Sequence, residues 1–291
     1  MRLLTVRHVT TYRYSEPVEF GEHRMMFRPR ESHDLRLVST KLDIVPRPSG
    51  FRWLHDVFDN SVAIATFDTA ASQLRFDSTV TLEPEETAVP DYKLEVGAHN
   101  YPFRYSDEER PDLVSALWRQ YPSDDLRAWT ARFLAASGST ITTMELLRSI
   151  TRGIKEEFTY LRRIEKGVQS PGETLSRRTG SCRDFAVLMM EAVRSLGFAA
   201  RFVSGYIYVP ATSPAEAVGG GNTHAWMQAY LPGAGWVDFD PTNSIVGNRN
   251  LIRVAVAWDQ RNALPLWGTF IGPATAFLGM DVEVTVTEES R

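Results

Sequence analysis

The spacing of apolar residues changes once along this 291-residue chain, and that change constrains the fold more than any other feature. In the first eighty or so residues, apolar and polar residues alternate with a period of two, as in strands with one buried face. Val6 and Tyr12 share one face of such a segment, and Arg7 lies on the other. After about residue 112, apolar residues recur at helical spacing. The sequence therefore predicts an α+β protein whose strand-rich part precedes a part with helices.

Strand-like segments separated by turn-forming residues fill the first part of the chain. They are short, rich in β-branched and aromatic residues, and cover 4–14, 35–45, 51–58, 62–68 and 72–82. Strands at roughly ten-residue spacing favour a β-sandwich-like domain, which we assign to residues 1–85. Prolines interrupt every period between residues 86 and 111, so this segment is predicted to be a linker. Residues 112–291 form the predicted second domain, which contains helices followed by strands.

Composition and charge exclude several classes of partner. The net charge of -4, with no cluster of basic residues, gives no reason to expect nucleic acid or an anionic membrane surface. The sequence has no run of about 18 apolar residues, which predicts a soluble, cytoplasmic protein without a membrane span. A single cysteine cannot form an internal disulfide, which fits a reducing compartment. Because the chain has no His or Cys ligand spacing, no metal or other cofactor is predicted.

The only cysteine, Cys182, lies at the predicted start of a helix. Ser181 is a favourable N-cap residue and Asp184 follows three positions later, which is the pattern of a capping box. Apolar residues then recur at helical spacing until Gly197, where the helix is predicted to end. The positive end of a helix favours a thiolate over a neutral thiol. Cys182 is therefore a candidate nucleophile, although a free cysteine is more often a small buried apolar residue.

A predicted hairpin further along the chain carries a histidine and two aspartates. The first strand begins at His224, and the returning strand contains Asp238 and Asp240. With a three-residue turn, Asp240 lies on the same face as His224 and diagonal to it, within reach of a side-chain contact. A four-residue turn would place both aspartates on the opposite face. Trp226 and Trp236 on these strands are predicted to be structural walls of the cleft.

A thiol, an imidazole and a carboxylate are the three groups that nucleophilic acyl transfer requires. The imidazole accepts the thiol proton and later donates it to the leaving amine, while the carboxylate orients the ring. His224 is the only histidine after residue 112, so it is the candidate base for Cys182. A structural role in the core is the alternative for His224, and Asp238 is the alternative to Asp240.

Three motifs around these residues resemble the core of the bacterial transglutaminase-like superfamily. They are GSCRDFA at 180–186, NTHAWMQAYLPGAGW at 222–236 and VDFDPTN at 237–243. The resemblance implies a papain-like transglutaminase core, in which helices pack on an antiparallel sheet, and a Cys-His-Asp triad. HVTTYRYSEPV at 8–18 and MFRPR at 26–30 are similar to the β-rich region that precedes the core in such proteins.

The resemblance also implies roles for individual residues. Cys182 matches the nucleophile, His224 the base and Asp240 the orienting carboxylate. In relatives an aromatic residue upstream of the cysteine helps to stabilise the oxyanion; Tyr160 is the candidate here, with core packing as the alternative. The segment WDQR at 258–261 departs from the G-R-D-Y pattern of the family, which leaves the rim of the cleft unassigned.

The sequence thus predicts a cysteine-dependent enzyme that transfers acyl groups from amide bonds of proteins or peptides through a thioester. Water as the acceptor gives a protease or amidase, and an amine as the acceptor gives a transglutaminase. The third hypothesis is a non-catalytic binding or assembly module that keeps the fold. The glycine-containing loop 210–222 is predicted to be either a lid or a simple connection. The sequence specifies no oligomeric state.

Overall fold

The structure is a computed structural model that describes residues 2–85, 92–135, 140–162, 167–210 and 220–290. The N-terminal strands are β1 (Arg2–Met25), β2 (Leu35–Val45), β3 (Gly50–His55), β4 (Ser61–Thr66) and β5 (Ala71–Pro84). The helices are α1 (Arg110–Leu117), α2 (Asp124–Ala135), α3 (Thr143–Glu157), α4 (Pro171–Arg177) and α5 (Cys182–Ser195). Two-residue strands among them are β6 (Asn100–Tyr101), β7 (Ile141–Thr142), β8 (Thr159–Tyr160) and β9 (Thr179–Gly180). The later strands are β10 (Ala200–Ile207), β11 (His224–Leu231), β12 (Gly235–Asp240), β13 (Ile245–Val246), β14 (Leu251–Ala257), β15 (Leu266–Ile271) and β16 (Phe277–Ser290).

These elements confirm the predicted α+β class. No helix within the described ranges is long and apolar enough to cross a membrane.

The N-terminal part is an antiparallel sheet organised around β1, which fits the predicted sandwich-like domain. Its strand order is β2-β5-β1-β4-β3. The sequence predicts a first strand over 4–14 only, whereas β1 has 24 residues, because apolar side chains such as Val18 and Phe20 continue to be buried. Pro17 is atypical within a strand, so the sequence does not indicate that β1 continues. It lacks an N–H, and the ladder with β5 shifts register between Arg13 and Val18.

The last two strands return to the N-terminal sheet. β16 pairs with the first half of β1, and β15 pairs with its second half. The predicted domain 112–291 therefore departs from the structure at its end, since residues 266–290 complete the N-terminal sheet. The physical reason is that each half of β1 has two edges whose backbone groups need partners. β5 and β4 supply one set of partners, and β16 and β15 supply the other.

Where the structure describes it, the predicted linker 86–111 is packed against the second part of the chain. Four of its apolar residues are partly buried against the core around α5: Tyr92, Leu94, Tyr101 and Phe103. β6 in this segment also pairs with β7. These apolar residues are irregularly spaced between prolines, so their burial depends on neighbouring elements and not on a local period. Residues 86–91 lie outside the described ranges.

The second part of the chain is built on a five-stranded antiparallel sheet. Its strand order is β13-β12-β11-β10-β14. On one face, Phe185 and Leu188 of α5 join Met227 of β11 in the main apolar core. On the other face, Tyr206 of β10 packs in a cluster with Leu4 of β1. The sheet is therefore covered by helices on one side and by the N-terminal sheet on the other.

Side-chain caps start the helices that lead to the site. Thr142 Oγ1 accepts from the Glu145 backbone N–H at 3.2 Å and so caps the first turn of α3. Pro171 and Gly172 suggest a loop in the sequence, but the structure has helix α4 at this position. Ser170 and Glu173 form a reciprocal capping box there, which starts a seven-residue helix. Such a short helix shows no apolar period, so spacing alone misses it.

Candidate active site

Helix α5 begins at Cys182, as the capping box predicts. The Asp184 carboxylate accepts hydrogen bonds from the Ser181 backbone N–H and hydroxyl, both at 2.8 Å. Its other oxygen accepts from the Gln169 backbone N–H at 2.7 Å, so Asp184 also fixes the segment before α4. Cys182 is 7% exposed and packs in the main apolar core. The thiol lies where a helix leaves backbone N–H groups without intrahelical partners.

The hairpin of β11 and β12 has the predicted register. A three-residue turn joins the strands, and Gln228 lies opposite Asp238. The structure brings His224 Nε2 to 2.8 Å from Asp240 Oδ2, and both side chains are buried. The predicted same-face contact between His224 and Asp240 is therefore confirmed as a hydrogen bond.

The second ring nitrogen of His224 is available to Cys182. The ionised Asp240 carboxylate can only accept, so Nε2 carries the proton of their hydrogen bond. His224 Nδ1 is buried and has no hydrogen-bond partner of ordinary geometry among the described residues. Cys182 contributes to the raised pKa of His224 as a hydrogen-bonding and charged neighbour, so the thiol lies beside the ring. Nδ1 is thus the atom placed to accept the thiol proton.

Asp240 controls the protonation of His224. Burial by itself lowers the pKa of His224, but the Asp240 carboxylate and Cys182 more than offset this effect and raise that pKa to about 10. Burial likewise acts to raise the pKa of Asp240, but the charge and hydrogen bond of His224, with a hydrogen bond from Asn243, hold that pKa below its usual value. The pair is therefore stabilised as an imidazolium and a carboxylate.

A turn after β12 fixes the Asp240 carboxylate. Asp240 Oδ1 accepts from the Thr242 backbone N–H at 2.9 Å, and Oδ2 accepts from Asn243 Nδ2 at 2.8 Å. The sequence motifs alone give neither Thr242 nor Asn243 a role in the site. The signal is local: in D-P-T-N, an aspartate precedes a proline and further turn formers, which favours hydrogen bonds from its side chain to the following backbone.

Asp238 has a different set of partners. Its Oδ1 accepts from Trp226 Nε1 at 2.6 Å and from Gln228 Nε2 at 2.8 Å, and Arg253 Nη1 lies 3.3 Å from its Oδ2. Burial raises the pKa of Asp238, although Arg253 acts in the opposite direction. Of the two candidate carboxylates, Asp240 is the one that is hydrogen-bonded to His224.

Tyr160 lies beside the start of α5. β8 and β9 pair in parallel, with Tyr160 opposite Gly180, and the Leu161 N–H donates to Gly180 O at 2.8 Å. Burial raises the pKa of Tyr160 to about 12, with a further contribution from Cys182. The phenol is therefore neutral at physiological pH and can donate a hydrogen bond. Its role in oxyanion binding stays a prediction.

Of the two tryptophans predicted to be structural walls of the cleft, Trp226 lies against His224 and Trp236 lies farther along β12, so this role stays a prediction. Trp226 is fully buried, and its ring centroid lies 5.9 Å from that of His224. Trp236 precedes Asp240 by four residues in β12, which at about 3.3 Å per residue separates their Cα atoms by roughly 13 Å. It packs against Tyr230 instead. Strand alternation gives the face on which a side chain lies, but not what covers that face.

The loop before β11 is described only at its ends. Residues 211–219, within the segment predicted to be a lid or a connection, lie outside the described ranges. At the far end, Gly221 O accepts from the Val284 N–H of β16 at 3.1 Å, which ties the approach to His224 to the N-terminal sheet. Among the residues that the structure describes, no group of three or more His, Cys, Asp or Glu side chains is arranged to hold a metal ion.

Helices packed on an antiparallel sheet, with Cys182 at a helix start beside the His224–Asp240 pair, have the arrangement of a transglutaminase-like core. Sequence comparison agrees with this arrangement. Residues 127–241 match the transglutaminase-like superfamily, and residues 4–83 match the bacterial transglutaminase-like N-terminal region. The chain therefore belongs to the transglutaminase-like superfamily, as its motifs predict.

Several relatives align with the chain over most of their length. An uncharacterized protein of Mycobacterium leprae is 25% identical over 292 residues, which covers 97% of this chain and 98% of the relative. An uncharacterized protein of Mycobacterium tuberculosis is 28% identical over 279 residues, with coverage of 90% and 86%. The crystal structure of a Cytophaga hutchinsonii protein, described as a proposed cysteine protease, has a TM-score of 0.69 at 18% identity and covers 100% of this chain and 92% of its own. That likeness concerns the fold.

Proposed function

We propose that this protein is a cysteine-dependent acyl-transfer enzyme that hydrolyses amide bonds of proteins or peptides through a thioester. One observation carries the proposal. His224 is held by Asp240 through Nε2 at 2.8 Å, while its buried Nδ1 has no hydrogen-bond partner of ordinary geometry in the described structure and lies beside Cys182. A thiol next to a base whose opposite nitrogen is bound by a carboxylate is the arrangement required for nucleophilic catalysis.

The proposed reaction has two stages. In the first, His224 Nδ1 holds the proton of the Cys182 thiol, so that a thiolate lies beside an imidazolium, and the sulfur attacks the amide carbonyl carbon to form a tetrahedral intermediate. The C–N bond then breaks, and the imidazolium donates its proton to the leaving amine. In the second stage, His224 accepts a proton from water, the resulting hydroxide attacks the thioester carbonyl, and the C–S bond breaks. The thiolate leaves as the acid is released, and the imidazolium again balances its charge.

The proposal assigns two hydrogen-bond donors to the negative oxygen of the intermediates. The Cys182 backbone N–H lies at the start of α5, where helix geometry leaves such groups without an intrahelical acceptor. The Tyr160 hydroxyl is protonated at physiological pH and close enough to Cys182 to be influenced by its charge. Donors aimed at the position where charge develops are often the largest contribution to this class of catalysis.

The test is incubation with glutamine-containing peptides, with and without a labelled primary amine. New peptide termini or released ammonia without amine incorporation would support hydrolysis, and incorporation of the amine would instead identify a transglutaminase. Cys182→Ser is the matched control, because it keeps the size of the side chain and removes the thiol. If the wild-type protein yields no products and iodoacetamide alkylates Cys182 with the pH profile of a free thiol, near 8.5, the proposal is wrong and a binding module is the better description.

A further inference from the structure

We infer that Trp226 is a positioning residue for His224, held in place by Asp238 and, through Arg253, by the N-terminal sheet. This inference rests on the proposed function, because positioning matters only if His224 acts as a base. It gives a function to a row of connected side chains that the proposed reaction itself does not use. The row consists of Trp226, Asp238, Arg253 and Asp34.

The first contact in this row is between Trp226 and His224. The two residues are separated by one position in β11, so they share a face of the sheet. Their rings are stacked, with centroids 5.9 Å apart and an interplanar angle of 28°. The hydrogen bond to Asp240 fixes one atom of the imidazole, but a single hydrogen bond leaves the ring free to tilt. A buried indole against the ring opposes that tilt and keeps Nδ1 beside Cys182.

The indole is itself restrained on two sides. Its Nε1 donates to Asp238 Oδ1 at 2.6 Å. Its six-membered ring lies over Gly205 of β10, where an added Cβ would be 2.9 Å from Trp226 Cη2. Gly205 is also the residue directly opposite His224 in the β10–β11 ladder. The same Cβ would lie 2.0 Å from the backbone oxygen of Ile252, so a glycine at this position leaves room both for the neighbouring strand and for the indole.

Asp238 is restrained in turn by the N-terminal part of the chain. Arg253 Nη1 lies 3.3 Å from Asp238 Oδ2, and Arg253 Nη2 lies 2.7 Å and 2.9 Å from the two carboxylate oxygens of Asp34. Asp34 immediately precedes β2 and also accepts from Asn248 Nδ2 at 2.6 Å. Contacts thus run without a gap from the N-terminal sheet, through Arg253, Asp238 and Trp226, to His224.

The experiment compares the pH dependence of Cys182 alkylation by iodoacetamide in the full chain and in Trp226→Phe. Phenylalanine keeps an aromatic ring but lacks the N–H that Asp238 accepts. Burial lowers the pKa of His224, and Asp240 and Cys182 more than offset it; the variant changes neither of these two residues. We expect the acid limb of the profile to move up by about one pH unit, which is a tenfold lower rate on that limb. The expected size of this shift is taken from residues that orient metal-binding histidines. Loss of such a residue lowers metal affinity or activity about 10- to 100-fold.

Val256→Ala is the control for lost packing. Val256 belongs to the same buried apolar cluster as Trp226 but lies on β14, with β10 between it and His224. The Val256→Ala variant should have a lower melting temperature but the same pH profile of Cys182 alkylation as the wild-type protein. Asp238→Asn, which keeps the side-chain volume, should move the profile in the same direction as Trp226→Phe and serves if that variant does not fold.

Three outcomes decide the matter. A displaced acid limb in the Trp226 or Asp238 variant, with an unchanged limb in Val256→Ala, supports the positioning role. Wild-type midpoints in both variants, accompanied only by lower melting temperatures, overturn it while leaving the proposed function intact. A wild-type protein that is alkylated like a free thiol overturns the proposed function and the positioning role together.

Discussion

Replacing Asp240 by asparagine measures how strongly one carboxylate controls the imidazole of His224. In the wild-type protein, Asp240 and Cys182 raise the pKa of His224 to about 10, against the effect of burial. Asparagine has nearly the same size but no charge, so burial becomes the dominant influence and the pKa is expected to fall below the ordinary 6.5. A fall of at least about 3.5 in pKa corresponds to on the order of 5 kcal/mol of lost imidazolium stabilisation.

The substitution should also change the tautomer. The amide of Asp240→Asn can donate to Nε2, which shifts the ring proton to Nδ1, the atom that must accept the proton of Cys182. A loss of 5 kcal/mol is a factor of about 10³ to 10⁴ in an equilibrium constant, so we expect turnover to fall by at least three orders of magnitude. The wrong tautomer alone has an effect of about this size in serine proteases.

The assay is the rate of Cys182 alkylation between pH 5 and 11, together with peptide turnover at pH 7.5. The wild-type profile should change at its alkaline end near pH 10, where His224 loses its proton, and Asp240→Asn should lack that step. The free energy of unfolding should depend on the same titration. The stabilisation from protonated His224 is fully present below pH 6.5 and is lost as the pH rises through about 10. Asp238→Asn is expected to displace only the acid limb, so it is the matched control here and should keep the alkaline step. An unchanged profile in Asp240→Asn, or a larger loss in Asp238→Asn, would refute the reasoning.

Three further predictions concern other groups. Tyr160→Phe should lower kcat about a hundredfold with little change in KM, because it removes one donor to the oxyanion; equal kcat values would return Tyr160 to a packing role. His8 is buried and its pKa is lowered by burial to about 4, so stability present above pH 6.5 should be lost as the pH falls to 4, by roughly 3 kcal/mol in urea titrations. His8→Gln should flatten this dependence. Arg253→Leu should destabilise the fold by about 3 kcal/mol because it leaves Asp238 charged and buried, and adding Asp238→Asn should recover part of the loss if that explanation is correct.

Features of the site that depend on neighbouring residues in the sequence could be predicted. The capping box of Ser181 and Asp184 requires only a three-residue spacing, and it places Cys182 at a helix start. The hairpin register depended on the turn length, which the sequence left open between three and four residues. In the structure Gly233 and Gly235 have φ values of 88° and 71°, conformations that glycine adopts without strain. Their spacing is the local signal that could have favoured the shorter turn.

Features that depend on distant segments could not be predicted. Nothing near Trp226 in the sequence indicates that Asp238 accepts its N–H or that Gly205 lies next to its ring, so the prediction of a structural wall of the cleft did not include these contacts. The same limit explains the domain boundary. The period of two in β16 indicates a strand. Its partner, β1, is separated from it by most of the chain, so no local pattern predicts the pairing.

The pairing of β16 with β1 has a consequence for the order of events during synthesis. β1 is made first, yet its outer edge has no partner until residues 266–290 have been translated. β10 to β14 and α5 form a sheet and helix from residues 182–257, so the part that carries Cys182, His224 and Asp240 can assemble while the N-terminal sheet is still incomplete. Long-range strand pairing of this kind is slow and leaves an edge open to other chains. Expression of residues 1–85 alone should therefore give an aggregating fragment, whereas a circular permutant that places β16 before β1 should fold its N-terminal sheet early.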